Sequence, residues 1–293
     1  MFLAHTDRLW SPALSTTLAV VLAGFLQAAI LVGAAPLARA ASDPPAPAHN
    51  DLLTREVWAG VDVASNVWLV YSGATVAPFS HIHENGLRVR AVIGYGQYTY
   101  ESYGANGRAE FEASTGFADV LVGYLYRYDA LTMKVFAGLS FIDHKITPFD
   151  PENISIGGEW GPKAVLEFWY NSNAKSWTSL DLAYTTAHDT GSVRMRSGYR
   201  VWPQVSFGAE AALNIDGQAQ CKIRLPTKSG CQLDDNDSDY KSLLDYGRAG
   251  VFARYEWTGG EVSISAGGMG QIVGKDYEIT IDPYVTANWI MQF

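Results

Sequence analysis

Apolar and polar positions alternate along most of this chain. In 192–202 the odd positions are Val193, Met195, Ser197, Tyr199 and Val201, while the even ones include Arg194, Arg196 and Arg200. The same period of two recurs in 87–95, where Leu87, Val89, Ala91, Ile93 and Tyr95 alternate with Arg88 and Arg90. It recurs again in 248–257, where Ala249, Val251, Ala253, Tyr255 and Trp257 oppose Arg248, Arg254 and Glu256. A strand sends successive side chains to opposite faces, whereas a helix would scatter these residues around its circumference. The pattern therefore predicts strands with one apolar and one charged face. Carried along the chain, it predicts twelve, near 55–64, 67–77, 86–100, 108–128, 132–143, 160–171, 176–187, 192–202, 204–215, 245–257, 261–273 and 277–293. After residue 54 no apolar run is long enough for a membrane-spanning helix.

An even number of strands returns the chain to the side from which it started. The short connections near 129–131, 172–175, 203 and 258–260 then fall on the side of the termini, and two long ones, about 144–159 and 216–244, fall on the other. This asymmetry matches the short periplasmic turns and long external loops of outer-membrane barrels. The last segment agrees with it. Counting back from Phe293, Met291, Trp289, Ala287, Val285 and Pro283 alternate with Gln292, Asn288, Thr286 and Asp282, apart from an apolar Ile290 and Tyr284. The expected fold is all-β, an antiparallel up-and-down transmembrane β-barrel whose closure pairs every backbone donor and acceptor within hydrocarbon. The competing architecture is a soluble, secreted β-sandwich.

The N-terminal segment fits this destination. Leu14 to Leu37 is almost uncharged and apolar, and Ala38-Arg39-Ala40 follows, which reads as an export signal cleaved after Ala40. Residues 41–54 then form a flexible Pro-rich stretch before a barrel domain at 55–293. Composition excludes other classes. With 48% hydrophobic and 17% charged residues the chain is not of disordered type, and its net charge of −9 without any basic block argues against a nucleic-acid partner.

If the apolar faces meet lipid, the charged faces line the interior, where Glu112, Asp119, Lys134, Lys163, Glu167 and Asp181 join the arginines. Two readings of that lining stand open. Ion pairs could fill the lumen and hold the barrel rigid, or the lumen could be a wet passage. In the second case Arg194, Arg196, Arg200, Arg88 and Arg90 would bond to hydroxyls, and Trp169, Trp177 and Tyr98 would offer flat faces to a sugar ring.

Other chemistry is sparse. His81-Ile-His83 lacks a nearby third ligand and reads as a turn, so no metal site and no cofactor are expected. Ser140, Asp143 and His144 could be drawn as a catalytic grouping, but proximity in sequence is weak support for it; a barrel enzyme acting on lipid or polysaccharide is the alternative, and it would depend on His144 or His188. Cys221 and Cys231 could close a small disulfide loop in an oxidising envelope. The acidic run Asp234–Asp239 lacks the Gly and Glu of a calcium loop, whose sixth and twelfth positions are taken by Tyr240 and Tyr246, and reads as a solvated external loop.

Several blocks in order resemble one family. They are Val57-Trp-Ala-Gly-Val-Asp62, Tyr71-Ser-Gly-Ala-Thr-Val-Ala-Pro-Phe79, Glu84-Asn-Gly-Leu-Arg-Val-Arg90 and Gly94-Tyr-Gly-Gln-Tyr-Thr-Tyr100. Later come Ser179-Leu-Asp-Leu-Ala-Tyr-Thr-Thr-Ala-His188, Gly198-Tyr-Arg200, Ala253-Arg-Tyr-Glu-Trp257 and Asp282-Pro-Tyr-Val285. Together they resemble the cellulose biosynthesis protein BcsS family. The resemblance implies a non-enzymatic accessory protein of the Gram-negative outer membrane, assisting export or surface anchoring of β-1,4-glucan. Its expected partners are outer-membrane lipid, cellulose and other envelope components of the cellulose synthase. It carries over no catalytic residues.

Overall fold

A computed structural model describes residues 53–104, 107–150, 153, 155–216, 244–270 and 281–293. Twelve strands form one closed antiparallel barrel: β1 (Arg55–Ala64), β2 (Val67–Val76), β3 (Gly86–Gly104), β4 (Gly107–Tyr128), β5 (Leu131–Thr147), β6 (Gly157–Asn171), β7 (Ser176–Thr185), β8 (Thr190–Trp202), β9 (Val205–Asp216), β10 (Leu244–Trp257), β11 (Gly260–Gly270) and β12 (Asp282–Gln292). Each strand pairs with its neighbours in sequence, and β12 closes on β1 in a register running from Val57 opposite Met291 to Val63 opposite Val285. At the seam, the amides of Thr54 and Arg55 both donate to the carbonyl of Phe293, at 3.1 and 2.9 Å. The expected leader 1–40, nearly all of the 41–54 stretch, the acidic run and both cysteines lie outside the described residues.

The apolar faces point outward. Ile93 (64% exposed), Val120 (63%) and Val251 (67%) stand on the outside of the wall, where a water-soluble protein would have had to cover them. Aromatic pairs flank this band. Trp68 with Tyr95 and Phe141 with Trp160 lie toward the end away from the termini, and Tyr255 with Trp257 toward the terminal end. An apolar belt between two aromatic girdles suits a bilayer, and short turns at the terminal end mark it as periplasmic. The sandwich alternative is thereby set aside.

β3 and β4 are 19 and 22 residues long, whereas β1 and β2 are 10 each. The sheet thus rises higher on one side of the outer mouth. Its inner surface there is packed rather than lipid-facing. Tyr100 stacks on Phe111 at 5.5 Å, and its hydroxyl donates to Asp150, just beyond β5, at 2.9 Å. Glu112, expected in the lumen, stands exposed on the outward face of this extension. Its pairing partners set the face, and above the lipid band an outward carboxylate is simply solvated.

Candidate functional site: the barrel lumen

Inward positions of most strands carry charge, and several of the partners come from strands that are not neighbours. Arg90 on β3 forms a bidentate pair with Glu167 on β6. Lys134 on β5 lies 3.5 Å from Glu167 and 4.0 Å from Glu56 on β1, four strands away around the wall. Arg248 on β10 meets Asp62 on β1 at 3.1 Å, and Arg194 on β8 meets Glu210 on β9 at 2.7 Å. Glu210 also accepts the Tyr284 hydroxyl from β12 at 2.9 Å. Lys163 binds Asp119 at 2.6 Å, and Ser140 donates to the same carboxylate at 2.6 Å. The pairs between distant strands cross the lumen, yet they do not seal it dry, because the side chains of Lys134 and Glu256 remain 27% and 28% exposed.

The expected site residues fall into three places. Arg194, Arg196 and Arg200 line one inner stripe of β8, with Arg194 paired as above and Arg200 3.7 Å from Glu256. Arg196 has no hydrogen bond or ion pair among the described residues and lies over the rings of Trp177 and Phe252, at 6.0 and 5.8 Å. Trp169 and Trp177 are stacked at 4.1 Å, and Arg254 covers Trp169 at 4.6 Å while pairing with Glu261 and Glu256. Trp177 is only 1% exposed and donates its ring N–H to Ser206 at 3.3 Å, so its flat faces are occupied by protein. Gly198 makes this packing possible, since a Cβ there would sit 2.5 Å from the Trp177 ring. Arg90 belongs to the central network already described.

Arg88 works elsewhere. It is 1% exposed and donates to the carbonyls of His81 (3.1 Å), Ile82 (3.0 Å) and Leu87 (2.8 Å), to that of Glu84, and to the Ser80 hydroxyl (3.0 Å). It thereby shapes the β2–β3 connection, which also docks on the N-terminal segment through Ile82 N–H to the Leu53 carbonyl at 2.6 Å. This ordered connection at the periplasmic mouth escaped the sequence reading because its apolar residues, Ala77 and Ile82, follow no period. His83 lies within it, and burial, with Arg127 and His81 nearby, holds its imidazole below the usual range.

Ser140, Asp143 and His144 do not assemble. Strand alternation puts Ser140 and His144 inside, where Ser140 is bound to Asp119, and sends Asp143 outward beside Lys145. His144 instead meets His188 edge to face at 4.9 Å near the outer rim. His81 and His83 are 5.3 Å apart, and among the described residues no group of three potential metal ligands occurs. The strongest carrier of function is the lumen and its mouths.

A family model described as cellulose biosynthesis protein BcsS matches residues 57–224, more than half of the chain. No curated protein matches it. Solved structures similar to the chain include the translocator domain of the autotransporter NalP from Neisseria meningitidis, at 14% identity over 95% of this chain and 97% of that one, with a TM-score of 0.43. Another is the transport unit of the autotransporter AIDA-I from Escherichia coli, at 10% identity over 88% and 95%, TM-score 0.43. A third is the KdgM porin in complex with disordered oligogalacturonate, at 8% identity over 81% and 99%, TM-score 0.41.

Proposed function

The chain belongs to the cellulose biosynthesis protein BcsS family, and from that premise we propose that this outer-membrane accessory protein anchors β-1,4-glucan at the cell surface without conducting it through the lumen. The observation that supports this reading is the set of charge pairs crossing the barrel, above all Lys134 between Glu56 and Glu167. A glucan threading the barrel would have to part such pairs, and separating one enclosed ion pair from its partner costs roughly 3–5 kcal/mol. Glucan hydroxyls can bond to a pair that stays intact, but they are neutral and replace little of the attraction lost when one is parted. The role is one of positioning, with cellulose and the envelope components of the synthase as partners, and no bond is made or broken.

The competing role is passage along Arg194, Arg196 and Arg200. Replacing all three by Gln in a cellulose-producing strain separates the two, with barrel assembly checked by the shift in gel mobility on boiling. Anchoring predicts the same amount of cellulose outside the cell as in the parent. A changed amount from a correctly assembled variant would put glucan in the lumen.

A further inference from the structure

At the outer end of the lumen, residues of β1, β2, β9, β10, β11 and β12 line a shallow cleft. Its flank is apolar, formed by Val67, Leu69 and Met269, and it also includes the Asp62–Arg248 pair, whose oxygen and nitrogen stand 3.1 Å apart. Asn214 adds an exposed amide at the rim. The charges select the class of ligand. An anion would be repelled by Asp62 and a cation by Arg248, whereas a neutral polyol satisfies both. One hydroxyl donates to the carboxylate, a neighbouring one accepts from the guanidinium, and the C–H face of a pyranose ring covers the apolar flank.

We propose that this cleft is a binding subsite for one pyranose unit of a β-1,4-linked glucan, set at the extracellular mouth. The proposal rests on the surface-anchoring reading for the source of its ligand and gives that anchor a location.

Calorimetric titration of the full-length protein in detergent with cellotetraose tests it. Saturable binding is expected, at least tenfold weaker in the double variant Asp62→Asn/Arg248→Gln, which removes both charges together and leaves neither unpaired. Val67→Trp fills the cleft from its rim without touching the ion pair, and the same loss is expected there. Assembly of each variant is verified by its mobility shift on boiling. Absence of saturable heat in the wild type, or unchanged affinity in either assembled variant, overturns the proposal. Cellulose retention by a strain lacking the protein reports on anchoring separately. A failed titration beside altered retention therefore removes the cleft and leaves the anchoring reading in place.

Discussion

At the periplasmic end of the barrel, Arg88 gathers four carbonyls and a hydroxyl into an ordered connection. Just inside it, Arg90, Lys134, Glu56 and Glu167 tie β1, β3, β5 and β6 together. At the outer end, β3 and β4 run longer than the other strands, and across the barrel residues of six strands line a cleft. The same alternating pattern builds both ends, and the difference lies in what the inward residues do. Near the periplasm they satisfy one another. At the outer mouth the described residues place the exposed Asn214 beside the Asp62–Arg248 pair, and there a ligand can be recognised without dismantling the fold.

This contrast predicts a gradient of mutational effects. The largest belongs to Arg90→Ala, which strands Glu167 beside Lys134 alone and should lower stability by roughly 3–5 kcal/mol. The change is read as the urea concentration at which the heat-modifiable gel form disappears. Asn214→Ala at the outer rim should stay within about 0.5 kcal/mol in the same assay. Equal losses at the two sites would abolish the distinction. Arg88→Ala should cost about 3 kcal/mol through its lost charge-assisted hydrogen bonds and open the 77–85 connection to proteolysis from the periplasmic face. Gly198→Ala drives a methyl group into the Trp177 ring and should cost about 2 kcal/mol, with a change in tryptophan fluorescence as the Trp169 stack is displaced.

The smallest effect concerns pH. Because His83 is held below its ordinary value of 6.5, the unfolded chain binds the proton first as acidity rises. The connection is therefore fully held above about pH 6.5 and loosens as pH falls below it. His83→Gln should flatten that dependence, measured as the rate of proteolysis in 77–85 between neutral and mildly acidic buffer. A wild-type rate that falls with acidity would contradict the sign.

Alternation carried much of this architecture. It placed twelve strands, the facing of Arg194, Arg196 and Arg200, and the polar inner stripe of the last strand, because a period of two is a local property of the backbone. It stopped where partners are distant. Nothing in the spacing of Arg90 and Glu167, or of Asp62 and Arg248, tells that they meet, since closure of the barrel brings them together. Glu112 was misplaced for the related reason that a solvated strand extension no longer needs its outward face to be apolar. Trp177 read as an available sugar platform because alternation gives direction but not packing, and Trp169 and Phe252 turn out to cover it. The cleft, drawn from six strands, was beyond any local signal.

In the proposed role glucan is held at the surface and does not travel through this barrel. The most direct test is the partition of cellulose among periplasm, cell surface and medium in a strain lacking the protein, compared with its complemented parent. Anchoring predicts no accumulation in the periplasm and a shift of glucan from the cell surface to the medium. Glucan trapped in the periplasm, with less outside, would contradict it and make the lumen the route of export.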